Sequence, residues 1–404
     1  MVKSQRASLT LSAIEDGLRG EDEMDLLNNF AARALASGLP LSRAIIVVDT
    51  LHPIYEGRVF RWRRDGLDVP SMMSYGPVEL DDAASRSWRQ SPFYHLIETG
   101  GSILRRRLDL GDTLEFSLLE DYRADGQTEY LAFVHRFDES HTIGEMDCVY
   151  SGWSTDMPGG FTDMQFEAMC SAAQALALAI KSASLARIAE TLVETYLGRD
   201  AGRMVLAGRI ARGVPDRIFA ALWFSDLRGF TRITDSAPPE EVIPLLNDYA
   251  QAIISGVHEA GGDVLKLVGD GILAIFRHED PAEACRCALV AEATARERID
   301  ALNSARQADG RPWTQAYLGL HVGEVFYGNI GSEERLDFTV IGPAVNEVSR
   351  IATMCRSAER NTLVSSAFAA AALPEDRARL VSVGRYALRG VERPQDLFTI
   401  DPGA

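Results

Sequence analysis

Between Phe219 and Phe276 the spacing of apolar residues changes character three times, and each change predicts an element. Phe219 to Asp226 is a short apolar run closed by a carboxylate, with a turn at Gly229, which reads as a strand carrying Asp226 at its exposed end. Val242, Ile243, Leu245, Leu246, Tyr249, Ile253, Ile254 and Val257 then recur every three or four positions, one buried stripe of a helix. Pro238, Pro239, Glu240 and Glu241 suit the first turn of that helix, and Gly261-Gly262 stops it. Asp263 to Val268 and Ile272 to Phe276 are apolar runs joined by Gly269-Asp270-Gly271, a tight-hairpin signature with Asp270 at its tip. A second helix is expected from about Pro281 to Leu302 and a further strand from Ala316 to Val325.

That order, β-α-β-β-α-β, predicts an α+β domain with the plan of a ferredoxin-like palm. On such a sheet the end of the first strand and the hairpin tip are neighbours, so Asp226 and Asp270 are candidate ligands for two divalent cations, Mg²⁺ or Mn²⁺, which prefer oxygen donors and bridge phosphates. Alone, an Asp at a strand end is a turn former. Two in matching contexts ask for more.

Upstream, a polar start (residues 1–24) reads as a flexible segment, followed by a helix from Glu23 to Ser37. Strands are expected at Arg43 to Asp49, Arg58 to Trp62, Thr113 to Leu119, Glu129 to Phe137 and Met146 to Trp153. A loop, Pro158 to Asp163, leads into a helix with Phe166, Met169, Ala173, Leu176, Ala179 and Ile180 on one face. Residues 25–180 resemble a GAF-type sensory domain of unknown ligand. The helix continues through Leu185, Ile188, Leu192 and Tyr196 before Gly198-Arg199-Asp200, so 181–214 is expected to be a signalling helix and linker, suited to parallel dimerisation.

Residues 215–404 resemble the catalytic domain of class III nucleotidyl cyclases. Besides the two Asp segments, the resemblance rests on the run from Arg335 to Arg350, in which Asn346 and Arg350 stand one helical turn apart, and on Leu388-Arg389-Gly390. It implies that Asp226, Asp270 and the Leu227 carbonyl ligate the metals, that Asn346 orients the ribose, and that Arg350 meets the transition-state phosphate. Arg389 is implied to bind the triphosphate. Base selection falls to Lys266, whose donors suit adenine N1, and Thr339, whose hydroxyl accepts from the N6 amine, so the resemblance is to the Thr-bearing adenylate cyclases. The expected reaction converts ATP to 3′,5′-cyclic AMP and pyrophosphate. The alternatives are a cyclase for GTP, CTP or UTP, and a silent nucleotide-binding sensor of the same fold.

In one respect the chain departs from some members, which carry a phosphate-binding arginine just before the segment that here reads Leu318-Gly319-Leu320-His321. Here that residue is Tyr317, so Arg389 or another base is expected to take the task. The family's sites draw their metals from one protomer and the base-reading, Asn and Arg residues from the other. A single catalytic domain therefore implies a homodimer with shared active sites.

Composition narrows the partners. With 41 basic against 58 acidic residues the formal charge is −17, which disfavours nucleic acid and anionic membranes. No apolar run approaches membrane-spanning length and no signal-peptide core follows the basic start, which points to the cytoplasm. Five scattered cysteines lack metal or redox spacing and are expected to be reduced thiols. His321, in an apolar strand, is expected to be packed or hydrogen-bonded rather than a ligand.

Overall fold

The computed structural model describes residues 2–66, 70–76, 83–138, 140, 142–211, 213, 215–389, 391 and 394–401. Two compact units divide the chain, Met1–Leu192 and Val193–Ala404. Among the described residues no helix is long and apolar enough to cross a membrane.

The first unit runs α1 (Val2–Arg19), α2 (Glu23–Ala36), β1 (Arg43–Asp49), β2 (Gly57–Arg63), β3 (Met72–Tyr75), α3 (Ala83–Arg89), α4 (Pro92–Glu98), β4 (Ile103–Arg107), α5 (Ser117–Ala124), β5 (Glu129–Arg136), β6 (Cys148–Thr155) and the start of α6 (Asp163–Leu197). Its six strands form an antiparallel sheet in the order β3-β2-β1-β6-β5-β4. Alternate residues of the central strands enter two cores. Ile46, Leu131, Phe133 and Trp153 pack with Phe30, Leu176 and Ile180 of the helices, while Val47, Tyr130, Ala132 and Tyr150 pack with Phe93, Leu96 and Leu119. Burial on both faces explains the near-continuous apolar runs of these strands. The layout is compatible with a GAF-like domain.

Two expectations are corrected here, and two strands are added. The N-terminal segment forms helix α1, which places Leu9 and Ala13 in the core and pairs Asp16 with Arg33 of α2. Thr113 to Leu119 is not a strand, because Phe116 and Leu119, three apart, pack together at the start of helix α5. The edge strands β3 and β4 escape the apolar signal; β4 reads Ile103-Leu104-Arg105-Arg106-Arg107, and its arginines pair with Glu129 and Glu115.

The second unit continues with α7 (Arg199–Leu206), β7 (Asp216–Leu227), α8 (Phe230–Ser236), α9 (Pro239–Glu259), β8 (Asp263–Val268), β9 (Gly271–Phe276), α10 (Pro281–Ala308), β10 (Ala316–Gly331), β11 (Leu336–Ile341), α11 (Pro343–Ala358), β12 (Thr362–Ser365), α12 (Ser366–Ala371), α13 (Pro374–Arg377), β13 (Leu380–Tyr386) and β14 (Gln395–Ile400). The sheet order is β13-β14-β12-β10-β7-β9-β8, with β11 paired to the far half of β10. The stretch β10-β7-β9-β8 is the ferredoxin-like palm expected from the element order, antiparallel throughout.

Strand β7 again splits its side chains between two cores. Ala221, Trp223 and Leu227 face α9 and α10 with Leu245, Tyr249, Ile253, Ala288 and Ile299. Ala220 and Leu222 face the other way, where Phe338 and Val340 of β11 and Tyr327 of β10 pack over Leu265, Leu273 and Ile275. The β10–β11 arm therefore folds back across β8 and β9. Helix α10 runs past its expected end at Leu302 because Asn303 and Arg306 are buried by polar partners: Asn303 donates to the Thr314 carbonyl at 2.7 Å, and Arg306 pairs with Asp248 and Glu241. Helix α7 belongs to this unit, with Ala201 in its core.

Candidate functional site

Two groups of expected residues assemble separately. The first lies where β7 ends. Ser225 pairs with Ile272 across β7 and β9, which sets the Gly269-Asp270-Gly271 turn beside Asp226. The Leu227 N–H donates to Asp270 Oδ2 at 3.2 Å, and the Asp226 and Asp270 carboxyl groups lie within hydrogen-bonding reach of each other. Partial burial, and then the facing Asp270 carboxylate, push the Asp226 carboxyl up to about 6. Two crowded carboxylates are hard oxygen donors, and their mutual repulsion is what a divalent cation relieves. The residues present fit such ions.

The second group lies on β8, β11 and α11. Lys266 Nζ donates to Asp337 Oδ2 at 2.9 Å, across the folded-back arm. Thr339 stands two residues beyond Asp337, on the same face of β11; it is buried, and its hydroxyl has no hydrogen-bond partner among the described residues. Gly342 ends β11, and α11 then carries Asn346, exposed, and Arg350, half-buried, one turn apart. Among the described residues no ion pair occupies Arg350. Gly319 lets α11 lie directly on β10: a Cβ there would come within 2.5 Å of the Val348 carbonyl and 2.7 Å of the Ala352 nitrogen. The small residue in Leu318-Gly319-Leu320-His321 thus sets the helix that presents Arg350.

Residues 219–401 match the family described as the adenylate and guanylate cyclase catalytic domain. This segment is a class III nucleotidyl cyclase domain. Adenylate cyclase 1 of Rhizobium meliloti is 31% identical over 184 residues, covering 44% of this chain and 26% of that protein. An uncharacterized protein of Mycobacterium tuberculosis is 33% identical over 213 residues, covering 51% of this chain and 38% of its own length. The chain thus spans well under half the length of these curated relatives. Among solved structures, the adenylyl cyclase CyaB from P. aeruginosa aligns at a TM-score of 0.43 and 24% identity, over 46% of this chain and 95% of that one.

Within the cyclase domain, Asp337 is the residue that sequence reasoning missed. It lies 71 positions from Lys266, and only the arm's return across β8 brings the two together. Arg389 is exposed beyond β13, and no hydrogen bond or ion pair among the described residues ties it to the other candidates. Gly390 of its motif lies outside the described residues. His321 is buried, its Nδ1 2.8 Å from Ser365 Oγ, and burial lowers its pKa despite the nearby Glu347. Among the described residues Cys148, Cys285, Cys287 and Cys355 are free thiols.

Proposed function

We propose that the cyclase domain is an adenylate cyclase that converts ATP to 3′,5′-cyclic AMP and pyrophosphate in a homodimer with shared sites. The observation that carries the reaction is the convergence of Asp226 and Asp270 where β7 ends, with the Asp226 carboxyl pushed up by partial burial and then by its neighbour. Bound there, two Mg²⁺ or Mn²⁺ ions would activate the ribose 3′-hydroxyl and neutralise the triphosphate. Asp226, Asp270 and the Leu227 carbonyl would hold them. Lys266, steadied by Asp337, donates to adenine N1, and the unpartnered Thr339 hydroxyl accepts from the N6 amine. Asn346 orients the ribose. Arg350 offers a planar fork of donors to the phosphate as charge builds on its equatorial oxygens.

Among the described residues no hydrogen bond or ion pair joins the carboxylate pair to Lys266 or Thr339, which supports a division of each site between two protomers. The first unit, GAF-like in layout, would then act as the sensor through α6. The family description embraces both adenylate and guanylate cyclases, so the base rests on Lys266 and Thr339.

The test is product identification by mass after incubating the chain with Mn²⁺ and, separately, ATP, GTP, CTP and UTP, with Asp270→Ala as control. Cyclic AMP from ATP alone, lost in the variant, is the expected result. A different cyclic product would overturn the base assignment and keep the metal chemistry; ATP binding without turnover would favour the silent sensor.

A further inference from the structure

We propose that Arg228 is the guanidinium that grips the triphosphate beside the carboxylate pair, in place of the basic residue absent at position 317. The inference rests on the cyclase reading and names a residue of that same site. Tyr317 is paired directly with Asp226 across β10 and β7, so the two side chains stand next to each other on one face of the sheet. Position 317 is thus at the metal edge, and it holds a neutral ring.

Arg228 supplies the charge. Two residues after Asp226, it carries its guanidinium carbon 6.0 Å from the centre of the Tyr317 ring, within range of a cation–π contact. Its backbone is pinned at both ends: the N–H donates to the Gln315 carbonyl at 2.7 Å, and the carbonyl accepts from Thr314 Oγ1 at 2.6 Å. Thr314 is itself buried and fixed, since its N–H donates to the Tyr249 hydroxyl at 2.7 Å and its carbonyl accepts from Asn303. A buried polar cluster therefore positions an exposed arginine.

Among the described residues no hydrogen bond or ion pair takes up the Arg228 guanidinium. Arg217, Arg277, Arg296, Arg298, Arg306 and Arg311 of the same unit are all ion-paired. Among the described residues no carboxylate pairs with Arg228, although two lie at the adjoining strand end. Once cations occupy those carboxylates, the site lacks an anion, and a bidentate guanidinium suits the oxygens of a polyphosphate. Arg389 is a poorer candidate on the same chain. It follows β13, four strands from β7, a lateral separation of roughly 19 Å at ordinary strand spacing.

The experiment uses the full chain and two readouts: calorimetric binding of inorganic pyrophosphate with Mg²⁺, and steady-state kinetics with ATP. Arg228→Ala is expected to weaken pyrophosphate binding on the order of tenfold, as loss of a charge-assisted bidentate contact does. Binding of Mn²⁺ alone and the melting temperature should stay unchanged, because Arg228 is exposed. Arg228→Lys should fall between the two, and adding Tyr317→Arg to Arg228→Ala should restore binding by returning a cation to the same edge. Native pyrophosphate affinity in Arg228→Ala, no pyrophosphate binding by the native chain, or no recovery in the double variant would overturn the assignment. The two readings fail separately. Cyclic product made by native and Arg228→Ala chains with equal pyrophosphate affinity sinks Arg228 alone, whereas pyrophosphate binding through Arg228 without any cyclic product sinks the cyclase reading alone.

Discussion

Asp226, Asp270, Asn346 and Arg350 stood out as candidates because each sits in a short local frame: a strand end, a hairpin tip, or two positions one helical turn apart. Asp337 did not. Its meaning depends on Lys266, and the 2.9 Å contact between them exists only because the β10–β11 arm packs Phe338 and Val340 onto β8 and β9. On the proposed reading this ion pair would hold the lysine toward the base, so Asp337→Asn should loosen selection. The kcat/KM ratio for ATP over GTP is expected to fall about fivefold, the scale of about 1 kcal/mol for a part-exposed ion pair. An unchanged ratio would assign Asp337 to stability alone. Arg350→Ala should lower kcat by about 3 kcal/mol of barrier, the effect of losing one preorganised donor, with a smaller change in KM for ATP. A loss confined to KM would place Arg350 in ground-state binding instead.

At the scale of elements, the strands and helices of the palm followed from period alone, but several ends were set by partners. Helix α10 gains its last turn from the buried pairs of Asn303 and Arg306, which local spacing cannot foresee because their partners lie on α9 and before β10. In the first unit, Leu114 and Phe116 alternate like a strand, yet Phe116 and Leu119 pack as a helix start. Gly319 shows the reverse dependence, in which one small residue fixes an element's place. A methyl there would meet the Val348 carbonyl at 2.5 Å, closer than atoms pack. Gly319→Ala should therefore shift α11 and cost about 1–3 kcal/mol of stability, the usual penalty of overpacking. A lower melting temperature together with reduced kcat is expected; native values for both would mean that α11 does not rest on β10 as described.

For the molecule as a whole, the proposed sharing of each site between two protomers makes subunit exchange the decisive measurement. Asp226→Ala and Arg350→Ala chains, each inactive, should recover activity when mixed, up to about a quarter of the native rate if exchange is statistical and one site per mixed dimer is intact. No recovery after demonstrated exchange would argue that each protomer holds a complete site. The first unit offers an independent handle on pH. Burial raises the Asp49 carboxyl to about 6, against the hydrogen bond from Tyr75 that lowers it, and with help from Asp147, Glu145 and Glu56. Between its unfolded value of 3.8 and 6 the folded form keeps a proton that the unfolded form has lost, so this group's stabilisation fades as pH rises through that window. Asp49→Asn removes the titration. Its melting advantage over the native chain should be larger at pH 7 than at pH 4.5, and an equal difference at both would show that Asp49 does not titrate there.

What the chain's order of residues settled was everything with a short range: the strand, helix and hairpin periods, the carboxylates at their ends, and the Asn–Arg spacing, since each depends on neighbours within a turn or two. Folding settled the meetings. Ser225 opposite Ile272 brings Asp226 to Asp270, the returning arm brings Asp337 to Lys266, and Asp226 opposite Tyr317 leaves Arg228 over a neutral ring. These contacts join residues tens of positions apart through strand register and sheet curvature. Those are set by the burial of whole faces, and no local window of sequence contains them.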